Sequence, residues 1–429
     1  MSPRTVDALL SRRALLALGA LGSLALAGCA GGADLVTADV SRRPADTARV
    51  PAVVDAVSAF GTDLLAVVGE QGGNVVCSPW SVLVALAMVR QGATGETARE
   101  MDAALHLPAS DELGAGISTL DQLLARRSGR RENADGKRAT VVLDVASRVW
   151  GQRGPIWEPA FLEALAAWFG TGVAEADIGG APDHTRRAVN AWVAHQTHDR
   201  IEELLPPGSI TETTRMVLAN ALYVRAPWHE RFNPGEPLEF AGPAGPVVVP
   251  SMTGGSGPGG VVGEGWAAAR VPLAGGELAL TVVRPDDDLA DLRARLRGHG
   301  LARLLRRAPD RGVALRMPPV ELRARLDLST VLQELGMRRA FEVGRAELDG
   351  MTRSERLHVA AVQHQGWLAL DEEGLEAAAG SAVTLEAVSA PSVELELTLD
   401  RPFLACLHDV ATALPLLLVQ VTDPTAKAS

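Results

Sequence analysis

Apolar residues at the start of the folded part of the chain recur every three or four positions. Over residues 53–68 this spacing predicts a helix with one buried face. A short apolar run then ends at Ser78, and Pro79 suits the first turn of a second, buried helix. Continuous apolar runs over residues 141–150 and 217–225 predict buried strands. The first half of the chain is therefore expected to be mainly helical, with a few strands.

The second half of the chain is richer in strands. Two apolar arms around the turn at residues 274–276 predict a hairpin over residues 271–283. The same patterns predict helices over 161–169, 189–205 and 329–336, strands over 357–370, 393–399 and 403–421, and loops over 126–138 and 253–265. Helices at the front and strands at the back are typical of an α+β fold rather than of alternating βαβ units.

Residues 371–390 carry a pattern of their own. From Leu375 to Ala387, one set of alternate positions holds every large apolar residue and the other set holds every acid. A strand with that alternation has one face fit for burial and one fit for water. The stretch also opens with three acids and a glycine and is rich in small residues, which is typical of an exposed loop. A short surface helix over residues 373–379 is an alternative, because helix formers are frequent there and Gly380 suits the position after a helix end.

The overall composition is that of a globular protein. Of 429 residues, 47% are hydrophobic, so the chain can bury a large core. The net charge of −11 argues against nucleic acid as a partner. The one basic stretch lies between Arg293 and Arg307, where arginines alternate with leucines. This spacing favours an exposed amphipathic helix over a site for polyanions.

The first thirty residues read as an export signal rather than as part of the fold. Arg12 and Arg13 precede an apolar run that is too short to span a bilayer. The run ends in Leu-Ala-Gly-Cys, which resembles a bacterial lipoprotein cleavage box and implies attachment of lipid to Cys29. An ordinary signal peptide with a chance cysteine is the alternative, and the choice between the general and the twin-arginine export route stays open.

The export signal sets the expected organisation of the chain. We expect a lipoprotein-type signal peptide over residues 1–28, a polar tether over residues 29–50 and a single domain over residues 51–425. The exported protein would be held on the outer face of the cell membrane, or on the cell surface, through the lipid on Cys29.

Common motifs of hydrolases and metalloenzymes are missing from the sequence. Ser256 does not stand at the centre of a Gly-x-Ser-x-Gly elbow, and His229 lacks the second histidine of a helical zinc site. We therefore expect no enzymatic activity, no cofactor and no metal site. Cys77 and Cys406 lie in apolar runs, which favours buried thiols over a disulfide.

Four polar residues lie in or beside apolar elements, where a buried polar group needs a hydrogen-bond partner. They are Ser78, Ser81, Asn220 and His364. Each of them, taken singly, is interpreted as a satisfied core or capping residue.

Several stretches of the chain together resemble the serpin family. In order they are residues 74–107 with a Ser-Pro-x-Ser start and a Gly-Ala-x-Gly-x-Thr middle, 190–193, 218–224 with Trp228 and Phe232, 332–341, His364, 371–379, 401–403 and Pro424. The match runs through nearly everything from about residue 50 to residue 425, in order, and is therefore highly specific.

The resemblance implies a fold and a mechanism. The fold has three sheets wrapped by helices, with a reactive loop at about residues 372–392. A serine protease cleaves the loop and forms a covalent acyl-enzyme. The loop then inserts as a new strand into the largest sheet and distorts the protease before hydrolysis finishes. The chain would thus be a single-use inhibitor, expected to be a monomer, rather than an enzyme.

The resemblance also assigns roles to residues of this sequence. It places Ser78, Ser81, Asn220 and His364 in the shutter beneath the parting strands, and Trp228 in the breach near the top of that opening. The hinge of the loop is Glu372, Glu373, Gly374, Leu375, Glu376, Ala377, Ala378 and Ala379. After cleavage Leu375, Val383 and Leu385 are expected to move from water into the core.

The position of the cleaved bond follows from spacing within the family. Counting from Glu372 puts it at Val388–Ser389, whereas counting back from Pro402 lands on Pro391. We prefer the first count, since proline is a poor residue to cleave after. Valine before the bond suits elastase-like or subtilisin-like serine proteases with a small apolar pocket.

One residue departs from the family pattern. Leu375 takes the first inserting position, where inhibitory members usually carry threonine or another small residue. A non-inhibitory serpin that acts as a binding or carrier module is therefore an alternative. A lipid-anchored hydrolase is a third reading, which the missing nucleophile–base motif disfavours.

Overall fold

The computed structural model describes residues 33–108, 110–254, 259–376 and 393–426. Four groups of predictions concern residues outside these ranges. They are the signal peptide over residues 1–28, the lipid site Cys29, the hinge residues Ala377, Ala378 and Ala379, and the reactive bond Val388–Ser389.

The helices follow the predicted pattern in the first half of the chain. Ser78 caps the second helix by accepting a hydrogen bond from the N–H of Ser81, and Pro79 opens its first turn. Within the described residues the α-helices are α1 Val50–Glu70, α2 Pro79–Arg90, α3 Gly95–Ala104, α4 Ser110–Leu124, α5 Pro159–Ala164, α6 Pro182–Gln196, α7 Leu289–Leu296, α8 Gly300–Arg306 and α9 Leu328–Glu334. A π-helical turn, Leu165–Phe169, continues α5.

A few strands lie among the helices of the first half, and strands dominate the second half. They are β1 Asp34–Val36, β2 Val75–Cys77, β3 Gly129–Glu132, β4 Arg138–Gln152, β5 Val173–Ala176, β6 Met216–Pro227, β7 Asn233–Gly242, β8 Gly245–Gly254, β9 Gly259–Gly263, β10 Trp266–Pro272, β11 Leu278–Pro285, β12 Arg311–Met317, β13 Val320–Asp327, β14 Gln363–Leu370, β15 Gly374–Leu375, β16 Val393–Thr398, β17 Phe403–Asp409 and β18 Pro415–Val421. The α+β class is confirmed.

One sheet holds the site described below. Its strand order is β1-β5-β4-β6-β15-β14-β13, and β3 adds to β4 at one side. The long antiparallel pair β4 and β6 stays in register from Val142 opposite Arg225 to Gly151 opposite Met216. Helix α6 packs on this pair through Val189, Trp192 and Val193, which share a buried cluster with apolar residues of both strands.

The remaining strands form a second continuous network, ordered β2-β18-β17-β11-β10-β9-β12-β8-β7, with β16 beside β12. Strand β9 pairs with β12 over two residue pairs and so joins strands that were expected to form separate second and third sheets. The main apolar core lies between the two networks and helices α1 and α2, and it draws on residues from Val50 to Val421.

Several element boundaries differ from the predictions. The predicted loop over residues 126–138 contains strand β3, and the glycine-rich stretch 253–265 contains β9. The polar tether predicted over residues 29–50 contains β1, which pairs with β5 at the edge of the sheet, so this part of it belongs to the fold. Helix α6 ends at Gln196 instead of residue 205, because His198 and Asp199 take left-handed backbone conformations. Other predicted elements split or shorten. The basic stretch forms the two helices α7 and α8, the strand over 357–370 begins at Gln363, and residues 403–421 form the hairpin β17–β18.

Among the described residues, one helix is long and apolar enough to cross a membrane by length and composition. It spans residues 47–70 and therefore includes α1, and 72% of its most apolar window is buried inside the protein. Packing in the core accounts for its apolar sequence. Cys77 and Cys406 are both buried free thiols, as predicted.

Candidate functional site

A two-residue strand, β15, lies between β6 and β14. Gly374 pairs with Pro227 and Leu375 pairs with Ala226 on β6, while Leu375 pairs on its other side with Leu370 of β14. The Leu375 side chain is only 1% exposed. The expectation that Leu375 moves from water into the core after cleavage is therefore wrong, because the sheet already holds it in the intact chain.

A tight turn around Asp371 carries the chain from β14 into β15. One oxygen of its carboxylate accepts hydrogen bonds from the main-chain N–H groups of Glu373 (2.8 Å) and Gly374 (3.2 Å). Gly374 has a φ of 154°, and a Cβ at this position would collide with the carbonyl oxygen of Ala226. A glycine is required where the two backbones approach this closely.

Trp228 binds the main chain of the turn at residues 371–373, called the acidic turn below. Its indole Nε1–H donates to the carbonyl of Asp371 (2.7 Å), and its main-chain N–H donates to the carbonyl of Glu373 (3.0 Å). The N–H of Phe232 donates to the carbonyl of Glu372, and the two aromatic rings pack edge to face at 5.4 Å. The residue predicted for the breach thus lies directly against the predicted hinge.

Two ion pairs attach the hinge carboxylates to distant parts of the chain. Arg231 pairs with Glu373, and Arg200 pairs with Glu376. The guanidinium of Arg200 also lies over the ring of Trp367 on β14, 5.3 Å from its centroid. Arg200 lies in the segment that follows α6 and crosses the face of the sheet. Its ion pair with Glu376 therefore links this segment to the end of the described hinge.

Glu376, the last described residue of the hinge, has an unusual backbone conformation. Its φ is 46°, and its N–H donates to the carbonyl of Ala369 (3.1 Å). Burial, together with the carboxylate of Glu376, raises the pKa of Tyr223 to about 12. Sequence reasoning missed Arg200, Arg231 and Tyr223 as contacts of the hinge, because no local pattern marks an ion pair across 176 residues.

Below β15, strands β6 and β14 enclose a cleft. Residues of the two strands line it, with Leu222 and Val224 on one side and Gly366 and Leu368 on the other. Within the described ranges, no hydrogen-bonded ladder joins β6 directly to β14. The line of β15 therefore continues between β6 and β14 as a narrow cleft of about 20 Å³, and the two strands must part before a further strand can enter.

Three of the four predicted shutter residues meet at the base of this cleft. The N–H of Ser78 donates to Nε2 of His364 (3.0 Å), and the hydroxyl of Ser78 donates to Ser81 (2.9 Å). Burial lowers the pKa of His364 to about 4, so the imidazole is neutral and its second nitrogen, Nδ1, carries the proton. That Nδ1 is buried and has no partner among the described residues.

Asn220, the fourth predicted shutter residue, lies apart from the other three. It lies on β6, is 6% exposed, and its side chain makes no hydrogen bond to any part of the chain that the structure describes. The register of β15 explains its place. If the pairing of Leu375 with Ala226 and Leu370 continued down the cleft, residue 381 would face both Asn220 and His364.

A family comparison agrees with this geometry. The model of the family described as "Serpin (serine protease inhibitor)" matches residues 55–424. An uncharacterized serpin-like protein of Thermococcus kodakarensis is 30% identical over 379 residues, covering 87% of this chain and 86% of that protein. The leukocyte elastase inhibitor of Bos taurus is 29% identical over 390 residues, covering 85% of this chain and 97% of that protein.

Solved structures carry the same fold. The thermophilic serpin tengpin in its native state superposes with a TM-score of 0.77 at 22% identity, covering 91% of this chain and 99% of tengpin. Serpin-12 of Manduca sexta superposes with a TM-score of 0.74 at 24% identity, covering 87% and 99% of the two chains. With a family model matched over most of its length and its first hinge strand held between β6 and β14, this chain belongs to the serpin family.

Proposed function

We propose that the chain inhibits serine proteases as a suicide substrate, trapping the acyl-enzyme when the cleaved loop inserts between β6 and β14. One observation carries this proposal: Leu375 already occupies the first position of a strand, and below it no ladder joins β6 to β14 in the described residues. The name of the matched family and those of relatives such as the leukocyte elastase inhibitor agree with it.

The register supplies a physical reason for insertion. Residue 381 is a serine, and in the continued register its hydroxyl would lie between the side chain of Asn220 and the Nδ1 of His364, which is buried without a partner among the described residues. Val383 and Leu385 would share the buried face with Leu375, each contributing about 1.5–3 kcal/mol. Each new ladder hydrogen bond adds roughly 0.5–1.5 kcal/mol net. Leu375 adds nothing further, since it is buried before cleavage.

The target class follows from the sequence of the loop. Cleavage at Val388–Ser389 leaves fourteen residues from Leu375 to the bond, from which the inserting strand is made. Valine before the bond fits a small apolar pocket, so the proposed targets are elastase-like or subtilisin-like serine proteases. Its neutral, branched side chain gives a trypsin-like protease no cation to bind.

A denaturing gel tests this proposal. The protein is incubated with pancreatic elastase and with subtilisin, and an adduct that survives SDS and boiling is expected with at least one of them. The same proteases blocked beforehand at their active-site serine are the matched control and should give no adduct. Complete cleavage near residue 388 with no adduct at any ratio of protein to protease would overturn the inhibitory mechanism.

A non-inhibitory binding module is the second candidate, and the burial of Leu375 favours it. A bulky residue already fixed beneath Trp228 stabilises the intact form and reduces what cleavage can gain. The melting temperature separates the two candidates. Nicking the loop is expected to raise it strongly in an inhibitor, whereas an unchanged value would support the binding module.

We further propose that the protein is exported and anchored through lipid on Cys29. The Leu-Ala-Gly-Cys box after a short apolar run supports this. In a bacterial host the full chain is expected to partition into the detergent phase of Triton X-114 and to take up radioactive palmitate. The variant Cys29→Ala should lose both properties, and palmitate uptake that survives this substitution would contradict the proposal.

A further inference from the structure

Strand β1 places the start of the described chain at one end of the sheet that holds the hinge. A row of four paired residues crosses neighbouring strands there: Asp34 on β1, Glu175 on β5, Gly151 on β4 and Met216 on β6. We call this end of the sheet the anchor pole. Because β1 belongs to the sheet, the chain enters the fold at the anchor pole and at no other point of the surface.

The hinge lies at the opposite end of the same sheet. Gly374 pairs with Pro227, which lies eleven residues further along β6 than Met216. At about 3.3 Å per residue, the two ends of the sheet are about 36 Å apart. The turn between β3 and β4 lies at the hinge end as well, because Ala134 donates its N–H to the carbonyl of His229, next to Trp228.

The tether between the proposed lipid and the fold is short. Ala33 is the first described residue, and four residue steps separate it from Cys29. A fully extended chain of that length spans at most about 14 Å. This reach is less than half the distance between the two ends of the sheet. A lipid on Cys29 would therefore hold the anchor pole at the membrane surface and keep the hinge away from it.

Two exposed apolar side chains lie at the anchor pole. Leu35 on β1 is 52% exposed, and Ile156, four residues after the end of β4, is 77% exposed. The N–H of Ile156 donates to the hydroxyl of Ser354 (3.0 Å), which fixes the main chain behind the exposed side chain. Isolated apolar residues are common on protein surfaces and by themselves indicate nothing. Here they adjoin the point at which the chain leaves toward the proposed lipid.

Charged side chains at the anchor pole pair with one another. They form three ion pairs: Arg153 with Asp34 (3.3 Å), Arg215 with Glu355 (3.3 Å) and Arg353 with Glu158 (3.7 Å). The pair between Arg153 and Asp34 joins the end of β4 to the start of β1, so Ile156 lies beside the entry of the chain. Because these charges are matched, neutral lipid headgroups can approach this surface without a strong opposing field.

We propose that the anchor pole lies on the bilayer surface, with Ile156 and Leu35 in contact with lipid and the hinge facing away from the membrane. The inference rests on the proposed lipid at Cys29. Contact with the bilayer removes two apolar side chains from water, and the covalent lipid keeps them close to it. In this orientation the reactive loop is presented to proteases that approach from the side away from the membrane.

Fluorescence quenching by spin-labelled lipid tests the orientation. The lipidated full chain is purified from a bacterial host and reconstituted into phosphatidylcholine vesicles whose headgroups carry a nitroxide. An NBD dye is attached to the variant Ile156→Cys or, as the matched control, to Asp135→Cys in the exposed turn between β3 and β4. The native thiols of Cys77 and Cys406 are buried, which protects them from the dye. Quenching is expected to be at least about threefold greater at position 156 than at position 135.

Two further measurements separate this inference from the proposed anchoring. Palmitate uptake and flotation with the vesicles report the lipid alone, and both proposals fail if the protein shows neither. Palmitate uptake together with equal quenching at the two positions, or with stronger quenching at position 135, would overturn the orientation and leave the anchoring intact. Thermal unfolding at the temperature of the parent protein shows that each labelled variant folds.

The length of the tether provides a second test. Twenty glycine and serine residues inserted between Gly32 and Ala33 extend the root-mean-square reach of the tether to about 27 Å. Flotation should not change, whereas quenching at position 156 should fall at least about twofold, because the longer tether no longer holds the anchor pole against the bilayer. Unchanged quenching in the extended variant would contradict a contact imposed by the short tether.

Discussion

Arg200 and Glu376 form an ion pair that fastens the segment after helix α6 to the end of the hinge. Two further contacts fix the position of Arg200. Arg323 of β13 donates a hydrogen bond to the carbonyl oxygen of Arg200, and the guanidinium of Arg200 stacks on the ring of Trp367. The ion pair and these contacts thus connect the segment after α6, the hinge, and strands β13 and β14. These parts must move relative to one another if a strand is to enter between β6 and β14. Its position makes it a restraint on the intact loop.

Removing this ion pair is expected to loosen the hinge. In Arg200→Gln the main-chain N–H of Glu376 should exchange with deuterium about two- to fivefold faster, because a half-exposed ion pair contributes roughly 0.2–1 kcal/mol. Hydrogen exchange followed by mass spectrometry of peptides covering residues 369–376 measures the effect. Arg187→Gln, which breaks an exposed pair with Asp183 on α6, is the control. Identical exchange in both variants would show that the pair does not restrain the hinge.

Trp228 is expected to stabilise the partly inserted hinge through its indole N–H. Trp228→Phe leaves the carbonyl of Asp371 without its donor and creates a small cavity, and should lower the free energy of unfolding by about 1–3 kcal/mol. Urea unfolding followed by circular dichroism provides the measurement. Trp266→Phe, at a half-buried tryptophan with no side-chain hydrogen bond among the described residues, should change it less. A larger loss in Trp266→Phe would contradict the assigned role.

Charge on the buried face of the loop should block insertion. The alternation that places Leu375 in the core puts Ala379 on the same face and Ala378 on the wet face. Under the proposed mechanism, Ala379→Glu should therefore give a substrate that elastase or subtilisin cleaves without forming an adduct, because an unpaired carboxylate would have to be buried. Ala378→Glu is the matched control and should keep most of the adduct. Equal adduct yields in the two variants would mean that the loop does not insert in this register.

Acid should weaken the protein through His364. Its pKa is about 4 in the folded protein, below the ordinary value of 6.5, because burial disfavours the charged imidazole. Between these two values the unfolded chain takes up a proton that the folded chain does not, so the stabilising contribution is complete above pH 6.5 and decreases as the pH falls. The slope for one such group is at most about 1.4 kcal/mol per pH unit.

Substitution isolates this contribution from other groups that titrate in acid. The difference in unfolding free energy between the parent protein and His364→Asn should change by about 1 kcal/mol per unit between pH 6 and pH 4.5. His299→Asn, at an exposed histidine outside the cluster, is the control and should show a smaller change. A pH-independent difference for His364→Asn would mean that the histidine is not buried in its neutral form.

Local pattern was enough to predict much of the fold. Helices α1 and α2 and the hairpin of β10 and β11 follow from apolar spacing, a capping serine and a glycine turn, all of which act within a few residues. Pattern also gave the buried thiols, since Cys77 and Cys406 lie in continuous apolar runs. It failed where tertiary contacts override it. Residues 197–205 have apolar spacing that suits a helix, yet they cross the sheet, where Arg323 and Arg325 donate to the carbonyls of Arg200 and Glu203.

The site divides in the same way. The order of acids, glycine and alternating apolar residues from 371 onward is enough to indicate a segment that can become a strand, because the period of two is a property of the chain itself. Only the folded protein decides how far that strand has already entered. Three features depend on groups more than a hundred residues apart, which no local pattern can bring together. They are the burial of Leu375, the hydrogen bonds of Trp228 to the acidic turn and the ion pair between Arg200 and Glu376.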